Sequence, residues 1–278
     1  MPDSPASSAS TYAAFWLYRL DPAWRRLNRE FQRQHRAGFV EALAARDPRV
    51  TLRGIYSLAG LRHDADLLLW VHGTDLDAIQ RLAVDLSHTP LGAYLTAAYT
   101  YVGVVGGGRY DPEHRPAFLR GVAPLNYVSM YPFTKTSEWY LLSYEERRAM
   151  MAEHGRLGRR YTIPREAQDA PGQATSQGQT DNGQAGNGHG AAAATTTTAV
   201  AGVATAASAT GAAILTNTVD TYGLSDYEFV VAFESNDPAE LCRMIEELRT
   251  VEVRRYTKAD TPVFLGRLRE PAEALADL

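Results

Sequence analysis

The stretch Met130 to Tyr161, MYPFTKTSEWYLLSYEERRAMMAEHGRLGRRY, gathers residue types that could do chemistry. Ser143 and Glu146 form a capping box that sets the start of a helix. Met150, His154, Leu157 and Tyr161 then fall at helical spacing and make one stripe, expected to be buried. A histidine on such a face is most often a core residue bonded to a neighbour. The glycines argue for more. Gly155 and Gly158 each cost about 1 kcal/mol relative to Ala inside a helix. Bare backbone beside a histidine also lets a flat, bulky ligand approach. A neutral imidazole in an apolar wall is what the proximal ligand of a haem iron looks like.

The strand before this helix carries a second group. In YVSMYPFTK, alternation puts Tyr127, Ser129, Tyr131, Phe133 and Lys135 on one face. Upstream, RYDPEHRPAF holds His114 in a loop rich in proline and charge. Taken singly, strand tyrosines usually pack, a lysine at a strand end is usually solvated, and a loop histidine is usually exposed.

The elements that must position these residues form a repeat. TYAAFWLYRL reads as a strand, and Asp21-Pro22 opens a helix with Trp24, Leu27 and Phe31 at helical spacing. VTLRGIYSL and DLLLWVHG are strands, Leu76, Ile79, Leu82, Ala83 and Leu86 mark a second helix, and YLTAAYTYVGVV is a strand. The second half repeats this order. PLNYVSMYPF is followed by a helix from Ser143 to Tyr161, then by strands ILTNTVDTY and EFVVAFES around GLSD. Asp237-Pro238 caps a helix with Leu241, Met244, Ile245 and Leu248, and TPVFLGRL ends the half. Gly60 and Gly223 occupy equivalent turns. The expectation is an α+β fold in which two ferredoxin-like β-α-β-β-α-β halves pair into one barrel-like core with helices outside.

The expected boundaries are a disordered N-terminus at 1–10, a first half at 11–108, and a second half at 109–164 and 214–268, with a tail at 269–278. Between the two parts of the second half, Arg165 to Ala213 is rich in Gly, Gln, Thr and Ala, with no large apolar residue beyond isolated valines. Such a segment cannot bury enough surface to offset the entropy of ordering it, so it reads as a disordered insertion, and His189 within it receives no role.

Composition narrows the function classes. A net charge of −4 without a basic stripe argues against a nucleic-acid partner. The single cysteine, Cys242, cannot form an internal disulfide, which suits a reducing compartment. MPDSPASSAS has neither the charge nor the apolar run of a signal peptide, and no apolar run approaches the ~20 residues of a membrane span. The expectation is a cytoplasmic protein.

The run YPFTKTSEWY…ERRAMMAEHGRLGRRY resembles the coproheme decarboxylases of the chlorite dismutase superfamily, most of all their actinobacterial type. The resemblance covers nearly the whole chain outside the first ten residues and the insertion. It is strongest from Arg109 to Tyr161 and from Asn217 to Gly266. The family joins its proximal helix to the next strand by a short segment, where this chain has the insertion. Closure entropy grows slowly with loop length, so the fold should tolerate it.

The resemblance implies an iron porphyrin as substrate and redox centre. Two propionates of iron coproporphyrin III (coproheme) would be oxidatively decarboxylated with hydrogen peroxide, giving haem b and carbon dioxide. It assigns His154 as the proximal iron ligand, with a partner for its other nitrogen unidentified. His114 would take a proton from peroxide, Tyr131 would be the oxidisable group, and Lys135 would pair with a propionate or deliver protons. Arg254 matches an arginine near the porphyrin edge, and Trp139 an aromatic near the pocket, with packing an equal alternative. The resemblance further implies a homo-oligomer, pentameric in the family, and coproporphyrin ferrochelatase as donor. Three other readings compete. A chlorite dismutase would need a distal arginine and not Tyr131 or Lys135. A dye-decolourising peroxidase would need a GxxDG motif, which is absent. A haem carrier or sensor would keep His154 and be indifferent to Tyr131.

Overall fold

Strand β1 (Thr11–Leu20) shows how this chain sorts its side chains. Alternation sends Ala13, Phe15 and Leu17 into one buried cluster and Ala14, Trp16 and Leu20 into another, across the sheet. The computed structural model describes residues 10–105, 115–162 and 214–278. His114, nearly all of the N-terminal segment and the expected insertion, with His189, lie outside the described residues.

The first half continues with α1 (Arg29–Ala44), β2 (Val50–Ser57), β3 (Leu67–Gly73), α2 (Leu76–Ser87) and β4 (Leu95–Val105). The second half begins with β5 (Tyr127–Lys135), α3 (Ser137–Leu141), α4 (Tyr144–Gly158), β6 (Leu215–Asp220) and β7 (Phe229–Ser235). It ends with α5 (Pro238–Leu248), the short β8 (Thr257–Ala259), β9 (Phe264–Arg269) and α6 (Pro271–Ala276). The order β4-β1-β3-β2 of the first half recurs as β9-β5-β7-β6 in the second, and both are antiparallel. Each half therefore has the ferredoxin-like order expected from the sequence.

Two seams close the halves into a ring. At one, Ile55, Tyr56 and Ser57 pair with Arg269, Leu268 and Arg267. At the other, Val104 pairs with Asp220, and only a glycine fits beside it: a Cβ on Gly103 would lie 2.4 Å from the Asp220 carbonyl oxygen. The equivalent turns carry Gly60 and Gly223 at φ of 75° and 71°, a conformation L side chains avoid. Inside the ring, Phe15, Leu68, Trp70, Val128, Met130, Val230 and Phe264 form a common core. A buried ion pair joins the halves there, Arg53 Nη2 lying 2.8 Å from Glu234 Oε1. Asn217 donates to the same carboxylate at 3.0 Å. The segment leading into β5 hangs on this cluster, with Phe118 N–H donating to Asn217 and Leu125 N–H to Glu234, each at 3.1 Å.

Three local expectations are corrected. The first helix does not open at Asp21-Pro22. A single turn, Trp24–Arg26, breaks at Leu27, and α1 starts at Arg29 because the Asn28 side chain accepts the Glu30 N–H at 2.8 Å. Trp24 is buried while Phe31 is 55% exposed, so the proposed stripe does not exist. Residues 269–278 are not a tail: α6 carries Ala274 and Leu275 into the first-half core, with Leu278 behind them. Finally, α4 ends at Gly158 rather than Tyr161, and the separate one-turn helix α3 precedes it.

Candidate active site

The outer face of the second half presents Ser129, Tyr131 and Phe133 from β5, all half-buried. Tyr131 lies opposite Val231, Phe133 opposite Phe229 and Ser129 opposite Phe233. Helix α5 covers part of this face, burying Leu241 and Met244 against Ile214 and Phe233. The alternation read from the sequence holds for these three positions.

Helix α4 lies beside α5. Its start is the expected capping box, with both reciprocal hydrogen bonds made between Ser143 and Glu146. The buried stripe is corrected: Met150, His154, Leu157 and Tyr161 are each only half-buried, and α4 has no fully buried residue. Met150 and Leu157 pack on Trp139, Val251 and Val253, whereas Tyr161 packs on the α5 cluster. A hydrophobic stripe predicts which residues share a face, not that another element covers it.

His154 Nδ1 is inaccessible to solvent and has no hydrogen-bond partner among the described residues. Burial, aided by the positive charge of Lys135, pushes its pKa down to about 4, so the imidazole is neutral at pH 7. A Cβ on Gly158 would meet nothing within 4 Å, and one on Gly155 would meet only the flexible end of Arg159. A neutral imidazole flanked by bare helix backbone fits the donor set of a haem-type iron. Among the described residues none bonds Nδ1, the ring nitrogen that would face away from the iron.

Lys135 is not solvated. It is 8% exposed, and its Nζ lies 4.2 Å from the centre of the Trp139 ring and 5.1 Å from that of Phe133. Burial pushes its pKa down to about 8, with Arg254 acting in the same direction and Glu228 against it. Trp139, itself 4% exposed, leans on Tyr256 at 5.7 Å. Trp139 therefore packs, and the face of its ring also meets the Lys135 ammonium. Tyr131 has its phenol pKa raised, by burial first and by Asp260 next, with Arg249 and Arg254 opposing. Arg254 Nη1 reaches Asp260 at 2.8 Å, and the same carboxylate oxygen takes Arg249 Nη2 at 3.0 Å.

Arg249 and Arg254 line an open cleft of about 480 Å³ along α4, together with Glu153, Val251 and Arg255. A slightly larger surface hollow of about 530 Å³ lies by Gly60, Leu61, His63 and Val263 and contains none of these site residues. The structure therefore gathers His154, Lys135, Trp139, Tyr131 and Arg254 on one side of the second half, and His114 lies outside the described residues. Sequence reasoning missed Arg249, Asp260, Tyr140 and Glu228, polar residues that carry no motif and acquire partners only through tertiary packing.

Comparison with known proteins shows the family and the fold. The chlorite dismutase family model matches residues 29–167 and 204–269, and the chain belongs to that family. A coproheme decarboxylase from Mycolicibacterium smegmatis is 31% identical over 221 residues, 79% of this chain and 74% of that one. One from Staphylococcus carnosus is 30% identical over 139 residues, 44% of this chain and 55% of that one. Among solved structures, chlorite dismutase from Candidatus Nitrospira defluvii in complex with imidazole superposes with a TM-score of 0.71 at 20% identity. It covers 97% of this chain and 95% of that one. That likeness concerns the fold. No helix among the described residues is long and apolar enough to cross a membrane.

Proposed function

We propose that this protein oxidatively decarboxylates two propionates of iron coproporphyrin III with hydrogen peroxide, giving haem b as the last step of a haem-forming pathway. The observation that carries this reading is the neutral His154, its Nδ1 unpartnered among the described residues, close enough to the buried Lys135 to feel its charge. The relatives named coproheme decarboxylase support it. Each propionate, one peroxide and one proton give a vinyl group, carbon dioxide and two waters.

The porphyrin iron, once bound, supplies the site's reaction with peroxide. The chain's own residues do the rest. His154 holds the iron, and its burial keeps it unprotonated and ready to do so. The Lys135 ammonium pairs with a propionate, an interaction strengthened by its desolvated surroundings. Tyr131 gives up its phenolic hydrogen on oxidation, and the resulting radical takes a hydrogen atom from the propionate side chain. Burial raises its pKa further above the ordinary phenol value, so the hydroxyl carries its hydrogen at neutral pH. His114 acts as the base toward peroxide, a role taken from the family resemblance alone. Arg254 already has Asp260 as a partner and so contributes to a carboxylate site as part of the Arg249–Asp260–Arg254 group. Trp139 holds the lysine. The same resemblance assigns a homo-oligomer supplied by coproporphyrin ferrochelatase.

The test is to mix purified protein with ferric coproporphyrin III and peroxide and follow the porphyrin by mass spectrometry. The reading expects two successive losses of a carboxyl group ending at haem b. An unaltered porphyrin, bound or free, would refute it.

A further inference from the structure

Glu228 stands just ahead of β7, and its carboxylate reaches two other elements. One oxygen, Oε2, accepts the backbone N–H of Lys135 at 2.7 Å and the hydroxyl of Tyr140 at 2.5 Å. The first bond holds the end of β5. The second holds α3, a helix of five residues whose Thr136 side chain makes no capping bond to the helix backbone. Because the Tyr140 hydrogen goes to Glu228, its oxygen accepts from Tyr222, 2.9 Å away. The Glu228 main chain adds a bond of its own, its N–H donating to the Phe133 carbonyl at 3.2 Å.

The two elements held in this way carry the two members of the cation–π pair. Lys135 ends β5, and Trp139 is the residue before Tyr140 on α3. Five residues of helix cannot sustain themselves. Their placement depends on Trp139 packing on Val251 and Val253, on the Thr136 N–H bond to Tyr256 at 2.9 Å, and on the Tyr140–Glu228 bond. An ammonium fixed over an indole face has lost most of its rotamer freedom before a carboxylate arrives, which lowers the cost of binding one.

We propose that Glu228 is a positioning residue of this site: acting with Tyr140, it clamps α3 to the end of β5 and so fixes the Lys135 ammonium over Trp139, preorganised for a substrate carboxylate. The proposal rests on the assignment of Lys135 as a carboxylate partner, but the clamp can be tested without any porphyrin. The chain has two lysines, Lys135 and the exposed Lys258. Lysine-selective 13C labelling therefore gives two side-chain signals, assigned with Lys258→Arg. The Lys135 ε-methylene protons should be moved upfield by the Trp139 ring current. Glu228→Ala should abolish that displacement. Tyr140→Phe, which keeps the ring and removes the hydroxyl, should reduce it. Glu228→Gln, whose amide oxygen can accept both bonds, should restore it. An unchanged Lys135 signal in both Glu228→Ala and Tyr140→Phe would overturn the clamp.

The second arm reads function with metal-free coproporphyrin III, which bears the carboxylates and makes no bond to His154. Fluorescence titration should show affinity falling about tenfold in Glu228→Ala, the loss of one charge-assisted contact, and recovering in Glu228→Gln. In a Lys135→Ala background the Glu228→Ala change should cost almost nothing further. A full additional loss in that background would show that Glu228 acts on the fold generally and refute the positioning role. If wild type ignores the porphyrin while the NMR arm succeeds, the clamp stands and the assignment of Lys135 as a carboxylate partner falls.

Discussion

The two halves share one topology and differ in what their outer faces do. Helices α2 and α5 are equivalent, each capped by an aspartate, Asp75 and Asp237. Counting from those caps, Ile79 matches Leu241, Leu82 matches Met244 and Leu86 matches Leu248. On α2 all three are buried, whereas on α5 the last, Leu248, is only half-buried. The strands beneath follow suit. Leu67, Leu69 and Val71 of β3 are wholly enclosed, but Phe229 and Val231 of β7 are partly open. Helix α1 buries Phe39 and Leu43, and α4 buries nothing completely. The first half uses its outer face for stability. The second leaves apolar surface uncovered among the described residues and sets His154, Lys135 and Tyr131 around it. One fold thus divides its labour between halves.

The sharpest way to break this comparison is to cut equivalent side chains. Leu86→Ala should cost about 3 kcal/mol, because the enclosed site cannot collapse, while Leu248→Ala should cost about 1 kcal/mol. Urea unfolding measures both, and equal losses would mean that the second face is as sealed as the first.

Each half also has a histidine with a depressed pKa. His72, on the inner face of β3 and edge-on to Phe118, is pushed down to about 4 by burial and then by Arg53, and His154 to the same value. The sign follows from which state binds more protons. Between pH 6.5 and 4 the unfolded chain protonates both rings and the folded chain does not, so stability falls as pH drops through that window. Each should contribute a loss on the order of 2 kcal/mol. His72→Gln or His154→Ala alone should roughly halve this acid sensitivity, read as unfolding midpoints at pH 7 and pH 4.5. An unchanged slope in both variants would place the rings in water.

His154→Ala sharpens the contrast further. At pH 7 it should cost no more than about 1 kcal/mol of stability, because Nδ1 has no hydrogen bond to lose. The same change should remove the histidine-ligated absorption spectrum of added ferric coproporphyrin and most of its affinity. A variant that keeps that spectrum would remove His154 from the iron.

Much of this was legible in the residues. The pleat of β5, the Ser143–Glu146 capping box, the Asp237 cap and the paired Gly60 and Gly223 turns are local signals, and each appears where the sequence puts it. What was not legible depends on partners far along the chain. Lys135 reads as a solvated strand end until α3 folds over it, and Glu228 looks like an ordinary carboxylate until Tyr140 meets it. The start of α1 turned on a local competition between two caps that propensity ranks nearly equal, Asp21 and Asn28. The Pro271–Ala276 helix is too short to show a period, and its burial comes from the first half, with which it shares no local sequence.

The central claim, that the uncovered face of the second half is catalytic rather than merely a binding surface, is tested most directly by Tyr131→Phe. This change keeps the ring packed near Phe233, 6.1 Å away between centroids, and removes only the phenolic hydroxyl. Product mass spectra after addition of ferric coproporphyrin III and peroxide should then show a porphyrin that is bound, histidine-ligated and still carrying all its propionates, where wild type yields haem b. Haem b formation by the variant at the wild-type rate would contradict the account.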